Sequence, residues 1–476
     1  MTLDELLKLV SSDKTLVLCT DSRLVRTGDI FVAVKGTVYD GHAFIDQAVA
    51  NGAKYIVCER PCCCNNADVI VVDDSAEAAA ILAQASRGNP ALGLTNLAVT
   101  GTNGKTTVAF LVRSCIQNAG SKCGLLGTIL YDTGLSSSQA ALTTPDGLAI
   151  AESQEQMIKA GSKYMVIEAS SHALYQNRLA GINFRAAAFT NLAGDHLDYH
   201  KTEKNYLAAK SLLFEKLSTK ATAVLNKESL HSVELAEKTK AKILWYAVDT
   251  PADLKAHIES MDITGTIFVL EYAGRRQKVK TPMLGRHNVS NHLAAAGLCL
   301  AAGFDLEAVA TGLSALRTIP GRLERLDGVY FPIFVDYAHT DDALQNVLSA
   351  LKPFCRGRLI VVFGCGGDRD KTKRPRMAKV AEKLANFVII TSDNPRTERP
   401  EDIIKDIVAG LVNPNSPTVI IEPDRKKAIE LAIETARKND IVLIAGKGHE
   451  TYQIIGTQKF EFSDKDIALK CLRKLK

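Results

Sequence analysis

Residues 100–107, Thr-Gly-Thr-Asn-Gly-Lys-Thr-Thr, combine two glycines, a lysine and a run of hydroxyls. Such a set can cradle phosphate. Glycines let the backbone turn its N–H groups toward an anion, a lysine neutralises the β- and γ-oxygens of a nucleotide, and a hydroxyl holds Mg²⁺. Gly101, Thr102, Asn103, Gly104, Lys105, Thr106 and Thr107 are therefore candidate nucleotide-binding residues. The spacing departs from the general P-loop pattern, because Val99 stands where its first glycine falls and Gly101 supplies the early turn. A glycine-rich turn alone is a weak signal. It gains weight from the apolar run Leu97 to Val99 before it and the helical pattern from near Val108 after it, which place the loop between strand and helix.

Two further strand ends carry chemistry. Glu168 closes the run Tyr-Met-Val-Ile-Glu and precedes Ala-Ser-Ser-His172, while His196 lies in Asn191-Leu-Ala-Gly-Asp195-His-Leu-Asp-Tyr-His200 after the run Ala186 to Thr190. With Thr106 they could hold magnesium, although imidazole is an unusual ligand for so hard an ion. A lone Glu or His is more often solvated or a satisfied core contact; two of them at strand ends in a nucleotide-binding part favour the functional reading. Lys210, on the helical stretch Asn205 to Lys216, reads by itself as a solvated lysine with no assignable task.

The elements that position these residues alternate strand and helix. Up to about residue 92, short strands (Asp29 to Lys35, Ala53 to Cys58, Val69 to Val72) alternate with helices, and Arg87-Gly-Asn-Pro90 suits a hinge. Residues 93–318 hold the phosphate loop. Residues 319–476 repeat strand then helix, with strands Phe331 to Asp336, Leu359 to Phe363, Phe387 to Thr391, Val419 to Glu422 and Ile441 to Ala445, and amphipathic stretches such as Arg425 to Lys438. This alternation predicts an α/β protein with parallel sheets covered on both faces, whose ligands bind at the carboxyl ends of strands.

Composition narrows the classes. A chain of 476 residues, 46% apolar and 23% charged, suits about three globular domains. The N-terminus carries acid where a signal peptide carries base, and no long apolar run is present, so a cytosolic protein without membrane insertion is expected. A net charge of +5 is too mild to argue for nucleic acid and suits small anionic substrates. Eleven cysteines form no Cys-x-x-Cys pair. They read as reduced thiols, and Cys62, Cys63 and Cys64 beside Asn65 and Asn66 read as an oxidation-prone surface turn rather than a metal site.

Taken together, Thr100 to Thr107, Glu168-Ala-Ser-Ser-His172, Asn191 to His200, His287-Asn-Val-Ser-Asn291, Pro320-Gly-Arg-Leu-Glu324 and Asp336-Tyr-Ala-His-Thr340 resemble, in order and spacing, the Mur ligase family of amide-forming ATPases. The likeness covers essentially the whole chain. Asp21 to Ala33, Gly364 to Asp370, Asp393-Asn-Pro-Arg396 and Gly446-Lys-Gly-His-Glu450 make it similar to the branch that adds the third residue of the peptidoglycan stem peptide. The resemblance implies three domains: a UDP-substrate domain (1–92), a central P-loop ATPase domain with a mostly parallel sheet (93–318) and a C-terminal Rossmann-like domain (319–476). It implies ATP and Mg²⁺, an acyl phosphate on UDP-MurNAc-L-Ala-D-Glu, and a monomer. By the same likeness Lys105 and Thr106 bind the triphosphate, Glu168 and His196 hold magnesium, and Lys210 is carbamylated toward a second magnesium. Asn291 and Arg322 reach adenine and phosphates, with Asp336 near the ribose. Ser22 contacts the uridine end, Thr143 and Thr144 the sugar-peptide portion, and Ser170, Gln176 and Arg178 the dipeptide. Leu142 departs from relatives that carry asparagine there.

The amino acid added is open to a physical argument. Meso-diaminopimelate differs from lysine by a carboxylate at its far end, and a planar guanidinium pairs a carboxylate through two hydrogen bonds. Arg396 of the Asp393-Asn394-Pro395-Arg396 motif fits that need, and Arg369 could serve as well. Asp393 and Glu450 could receive the far ammonium beside Gly446. The alternatives are the same reaction with L-lysine or another diamine, and a nucleotide-switched binding protein that forms no amide.

Overall fold

The apolar runs become strands of three large sheets and one two-stranded ribbon. The computed structural model describes residues 1–475 apart from 37, 38, 63, 65, 328 and 329, so Cys63 and Asn65 of the cysteine-rich turn lie outside the described residues. The first sheet stacks Leu18–Cys19, Ile30–Val32, Tyr55–Cys58 and Asp68–Val71 in parallel. Helices Leu3–Ser12 and Ser75–Ser86 cover one face, burying Leu6, Val10 and Leu82 against Ile30, Val57 and Ile70. Bonds cross to the next unit at and just before the Arg87–Pro90 stretch. Arg87 pairs with Glu155 at 2.5 Å, and the buried Gln84 amide donates to buried Gln154 at 2.7 Å, satisfying groups that would be costly to leave unpaired.

The second sheet has eleven strands. Its centre runs in parallel, in the order Lys242–Ala247, Thr222–Asn226, Phe184–Phe189, Thr95–Thr100, Tyr164–Glu168 and Cys123–Leu126. The chain leaves Thr95–Thr100 toward one edge and later returns to its other side. That strand is therefore the switch point at which open α/β sheets bind ligands. Register does the rest: Val99 lies beside Glu168, and Thr100 beside Phe189, so three strand ends open onto one crevice.

The expectation of parallel sheets holds at the centre and fails at the edges. Leu254–Asp262, Gly265–Tyr272 and Arg275–Thr281 form an antiparallel meander. Thr266, Phe268 and Leu270 are buried while Ile267 and Val269 are only half-buried, the alternation of a sheet with one solvated face. Ala273 and Gly274 both take positive φ (48° and 74°), as a two-residue hairpin that matches strand twist requires.

The third sheet orders Glu324–Asp327, Pro332–Asp336, Ile441–Ala445, Leu359–Phe363, Phe387–Ile390 and Val419–Ile421, antiparallel only at the first pair. Helices Asp341–Leu351, Lys373–Leu384 and Pro400–Val408 bury Leu344, Met377 and Ile403 on one face; Arg425–Thr435 and Asp464–Lys474 bury Ile429 and Leu472 on the other. Both faces are thus covered, as expected from the strand-helix alternation. Arg425 and Asp464, wholly buried, pair at 2.6 Å, and Arg425 also donates to the carbonyls of Ser392 and Ala445, fixing the strand ends that lead to Asp393 and Gly446. Among the described residues no helix is long and apolar enough to cross a membrane.

Candidate active site

The phosphate loop follows strand Thr95–Thr100, and its helix, Lys105–Asn118, starts three residues earlier than the pattern suggested. The reason is Gly104, whose φ of 89° turns the chain so that Lys105 already takes the first helical position. No side chain caps this helix, whereas Asp146, Thr202, Thr340 and Asp424 cap others. Its first N–H groups are left to an anion. A Cβ on Gly104 would fall 2.2 Å from Asn291 Oδ1, and one on Gly101 would fall 1.9 Å from Thr190 Oγ1, so neither position admits a side chain without displacing a neighbour.

Two lysines face this loop. Lys105 Nζ donates to the carbonyls of Gly101 (2.9 Å) and Thr102 (2.8 Å), and Lys210 Nζ donates to the same Gly101 carbonyl (2.9 Å). Lys210, solvated by expectation, is buried, with Nζ 4.2 Å from the centre of the Tyr206 ring. Burial, and then the nearby Lys105 charge, push its ammonium well below the ordinary lysine range. Burial also lowers Lys105, against the pull of Glu168 and Asp195.

Glu168 is fully buried and four-fold bonded. It accepts from Thr106 Oγ1 (3.0 Å), from Thr128 N (2.8 Å) and from Thr128 Oγ1 (2.9 Å), and its own backbone carbonyl accepts from Thr144 Oγ1 (2.6 Å). Arg322 Nη2, arriving from the third unit, donates to Thr106 Oγ1 at 3.0 Å. His196 has a φ of 55° and stands 3.5 Å from Asp195, whose carboxylate also accepts from the His196 backbone. Desolvation keeps this imidazole neutral by pushing its pKa down, despite Asp195. Burial opposes ionisation of Asp195, but His196, His339 and Lys373 together hold it low.

Lys105, Thr106, Thr128, Glu168, Asp195, His196 and Arg322 line a cavity of about 400 Å³ between the second and third units. Thr102 to Thr107, Thr143, Glu168, His196, Asn291, Arg322 and Asp336 all border it, whereas Gly101 and Lys210 of the predicted nucleotide and metal residues lie outside this lining, bonded to each other. The two oxygens of Asp336 accept from the backbones of Leu323 (2.6 Å) and Ala338 (2.7 Å), shaping the loop that carries Arg322. Arg322 stacks 4.7 Å over Tyr337, and Asn103 donates to Asp342 Oδ2 at 2.7 Å, tying the phosphate loop to helix Asp341–Leu351.

Beside the cavity a polar chain links Thr144, Ser170, Arg178 and Gln176. Thr144 Oγ1 meets Ser170 Oγ at 3.0 Å, Arg178 donates to the Thr144 carbonyl (2.8 Å) and to Gln176 Oε1 (2.9 Å), and Gln176 donates to Tyr199 (3.1 Å). Thr143 receives a bond from Thr128 at 3.1 Å. Ser22 is not part of this group: it lies in the first unit, with its hydroxyl on Gln47 at 2.7 Å. Leu142 is exposed.

The residues expected to take the amino acid gather at the carboxyl ends of the third sheet, outside the lining of the cavity. Asn394 Nδ2 donates to Glu450 Oε2 (2.9 Å), and Gln453 holds the Asp393 carbonyl (2.7 Å). Gly446, at a φ of 117°, leaves room for Asp393, whose Oδ2 would lie 2.6 Å from a Cβ there. Arg396 is half-buried, with a φ of 52° and its Nη1 on the Gly367 carbonyl at 2.7 Å; Pro395 before it is buried. Arg369 is exposed, bonds the carbonyl of Asp368, and flanks Gly366 together with Arg396. Tyr337 and His449, whose rings lie 5.1 Å apart, connect this cluster to Arg322 and the cavity.

Sequence reasoning gave no task to Thr128, Asp195 or Lys447. Thr128 follows a strand without any motif of its own. Asp195 sits inside a quoted motif, next to the histidine that drew attention. Lys447 lies in Gly446-Lys-Gly-His-Glu450 yet is fully buried, a property no local pattern reveals.

The chain belongs to the Mur ligase family, and is thus a ligase. Residues 17–87 match the Mur ligase family, catalytic domain; residues 99–299 the Mur ligase middle domain; and residues 321–448 the Mur ligase, glutamate ligase domain. It is 44% identical over 455 residues to the UDP-N-acetylmuramoyl-L-alanyl-D-glutamate--2,6-diaminopimelate ligase of Geobacillus kaustophilus (strain HTA426), covering 94% of this chain and 93% of that one. A solved structure of a UDP-N-acetylmuramoyl-L-alanyl-D-glutamate--2,6-diaminopimelate ligase superposes with a TM-score of 0.68 at 34% identity, over 96% of this chain and 95% of that chain. The MurF ligase of Thermotoga maritima in complex with ADP shares the fold, with a TM-score of 0.64 at 21% identity over 97% and 98% of the two chains.

Proposed function

We propose that this ligase uses ATP to join meso-diaminopimelate to UDP-MurNAc-L-Ala-D-Glu, giving UDP-MurNAc-tripeptide, ADP and phosphate, the reaction of the MurE branch in peptidoglycan synthesis. The γ-phosphoryl group passes to the free carboxylate of D-glutamate, the amine of diaminopimelate attacks the resulting acyl phosphate, and phosphate leaves as the amide forms. One observation carries the reading: Lys105, Thr106, Glu168, His196 and Arg322 border a single cavity at strand ends of two units. Two anions must approach there, and fixed cations in a desolvated crevice favour that approach.

The chain's own residues divide the work. Lys105, the uncapped helix start and Arg322 receive the triphosphate, and Asn291 and Asp336 shape the nucleotide end. Thr143, Thr144, Ser170, Gln176 and Arg178 orient the dipeptide, Ser22 the uridine end, and Asp393, Arg396, Gly446 and Glu450 the amino acid. Residues 1–92, 93–318 and 319–476 form the corresponding three domains. The donor set suits magnesium: Thr106 and Glu168 offer hard oxygens, and among the described residues no three His, Cys, Asp or Glu side chains converge as a metal cage. Mg²⁺ keeps waters and phosphate oxygens and needs few protein ligands. When bound, it screens phosphate charge and polarises the reacting oxygens. His196 and a carbamylated Lys210 would complete its surroundings; a depressed amine is the form that takes up carbon dioxide. The enzyme acts in the cytoplasm as a monomer on small molecules, without nucleic acid or membrane insertion.

The decisive assay mixes purified protein, ATP, Mg²⁺, UDP-MurNAc-L-Ala-D-Glu and equal amounts of meso-diaminopimelate and L-lysine, read by mass spectrometry. A diaminopimelate tripeptide is expected. A lysine product, or nucleotide turnover that ignores the dipeptide and yields no amide, would replace this reading with one of its rivals.

A further inference from the structure

Lys447 is the one fully buried lysine beside the proposed amino-acid cluster, and the reading just given assigns it nothing. Its Nζ donates to Glu450 Oε2 at 2.8 Å and to Asn394 Oδ1 at 3.0 Å, and it lies 5.6 Å from the centre of the Tyr452 ring. Asn394 Oδ1 also accepts from Ile454 N at 3.0 Å, which orients the amide so that its Nδ2 donates to Glu450 Oε2. Oε2 therefore holds two donors from the protein. Oε1 is the oxygen left to meet a ligand's ammonium.

The charges around this point can be counted. Asp393 and Glu450 are acidic; Arg396 and Lys447 are basic; Arg425 is already matched by Asp464. Arg369 and Asp368, both exposed, lie on the rim and act on Arg396 with opposite signs, so they offset each other in the count. Two anions against two cations leave the pocket neutral. The far end of meso-diaminopimelate, one carboxylate and one ammonium, is neutral too, whereas the far end of lysine is a bare cation. Without Lys447 the pocket would carry an excess negative charge and would suit the cation better.

We propose that Lys447 is a specificity-determining residue: by neutralising Glu450 from behind, it sets the amino-acid pocket to favour a zwitterionic tail over a cationic one. It is a positioning residue, acting through Glu450 and Asn394 rather than touching the substrate. The proposal rests on the function proposed above. Wild-type protein that fails to use diaminopimelate at all would defeat that function; the test below is read only as a ratio between two amino acids.

The experiment measures kcat/KM for meso-diaminopimelate and for L-lysine in the full-length wild type, in Lys447→Met and in the double variant Lys447→Met/Glu450→Gln, with KM for ATP as control. In Lys447→Met the diaminopimelate-to-lysine ratio is expected to fall roughly tenfold to hundredfold, the size of one buried charge at a few ångströms, while KM for ATP stays put. In the double variant, where one anion and one cation remain, the ratio should return toward the wild-type value even if both rates are lower. A single variant that loses both substrates in equal proportion would overturn the proposal, since a merely structural lysine would behave so. Should Lys447→Met not fold, Lys447→Arg and the charge-neutral double variant carry the test: a ratio kept in both supports the proposal, and a ratio lost in either overturns it.

Discussion

Lys105 and Lys210, 105 positions apart in the chain, both donate to the carbonyl of Gly101 at 2.9 Å. Two ammonium groups on one oxygen repel each other, and in a desolvated site the cheaper outcome is that one of them loses its proton. Burial, and then the Lys105 charge, push Lys210 well below the ordinary lysine range. Lys210→Ala should abolish most ligase activity, and short carboxylic acids such as acetate should restore part of it by supplying the missing carboxylate. No restoration, together with an unmodified Lys210 peptide by mass spectrometry, would remove carbamylation from the reading.

Gly127 tests the placement of Glu168. A Cβ there would stand 2.3 Å from Glu168 Oε1, so the carboxylate must move away from Thr106 and Thr128. Gly127→Ala should lower kcat by about a hundredfold, the scale on which small misplacements act, with little change in thermal stability. A variant as active as wild type would show that the position of Glu168 is not critical.

Arg396 tests the choice of amino acid. Arg396→Ala removes the guanidinium proposed to pair the far carboxylate, and kcat/KM for diaminopimelate should drop by about a hundredfold or more, with KM for ATP nearly unchanged. Arg396→Lys should recover little, because an ammonium lacks the planar fork. Equal losses for ATP and diaminopimelate would point to a folding defect instead.

Stability should fall in mild acid. His292 is fully buried in helix Arg286–Ala301, 5.5 Å from the Phe268 ring, and burial lowers its pKa to about 4, against the bond to the Asn288 carbonyl. The unfolded chain binds this proton near the ordinary value of about 6.5, so the folded state holds fewer protons between the two. The contribution is complete above about 6.5 and declines as pH falls toward about 4, by about 3 kcal/mol at the limit. His292→Phe should flatten the dependence of Tm on pH across that window. A slope identical to wild type would mean that His292 is protonated inside the folded protein.

Much of this was legible in the residues, and unevenly so. The strands Tyr164–Glu168, Leu359–Phe363 and Ile441–Ala445 have the bounds their apolar runs predict, because parallel strands covered on both faces carry continuous apolar sequence. The meander from Leu254 to Thr281 escaped notice because Lys255, His257, Lys278 and Lys280 occupy its outward positions and interrupt the apolar run. At the site, loop chemistry pointed to Lys105 and Glu168. The burial of Lys210 and Lys447 arises from contacts between distant segments, on which neighbouring residues carry no information. Arg369 is a guanidinium in a suggestive motif whose exposure and bond to the carbonyl of Asp368 no local pattern announces.

On the function proposed above, the bonds from Lys105 to Gly101 and Thr102 would shape how a nucleotide is admitted. A triphosphate that captures this ammonium must first free it from two backbone oxygens, so association is a swap of partners in which the tally of contacts hardly alters. Discrimination then rests on charge density: a polyanion outcompetes a carbonyl dipole for Lys105, whereas a neutral nucleoside offers it no inducement to leave. A loop of this kind would reject uncharged look-alikes before any base is inspected.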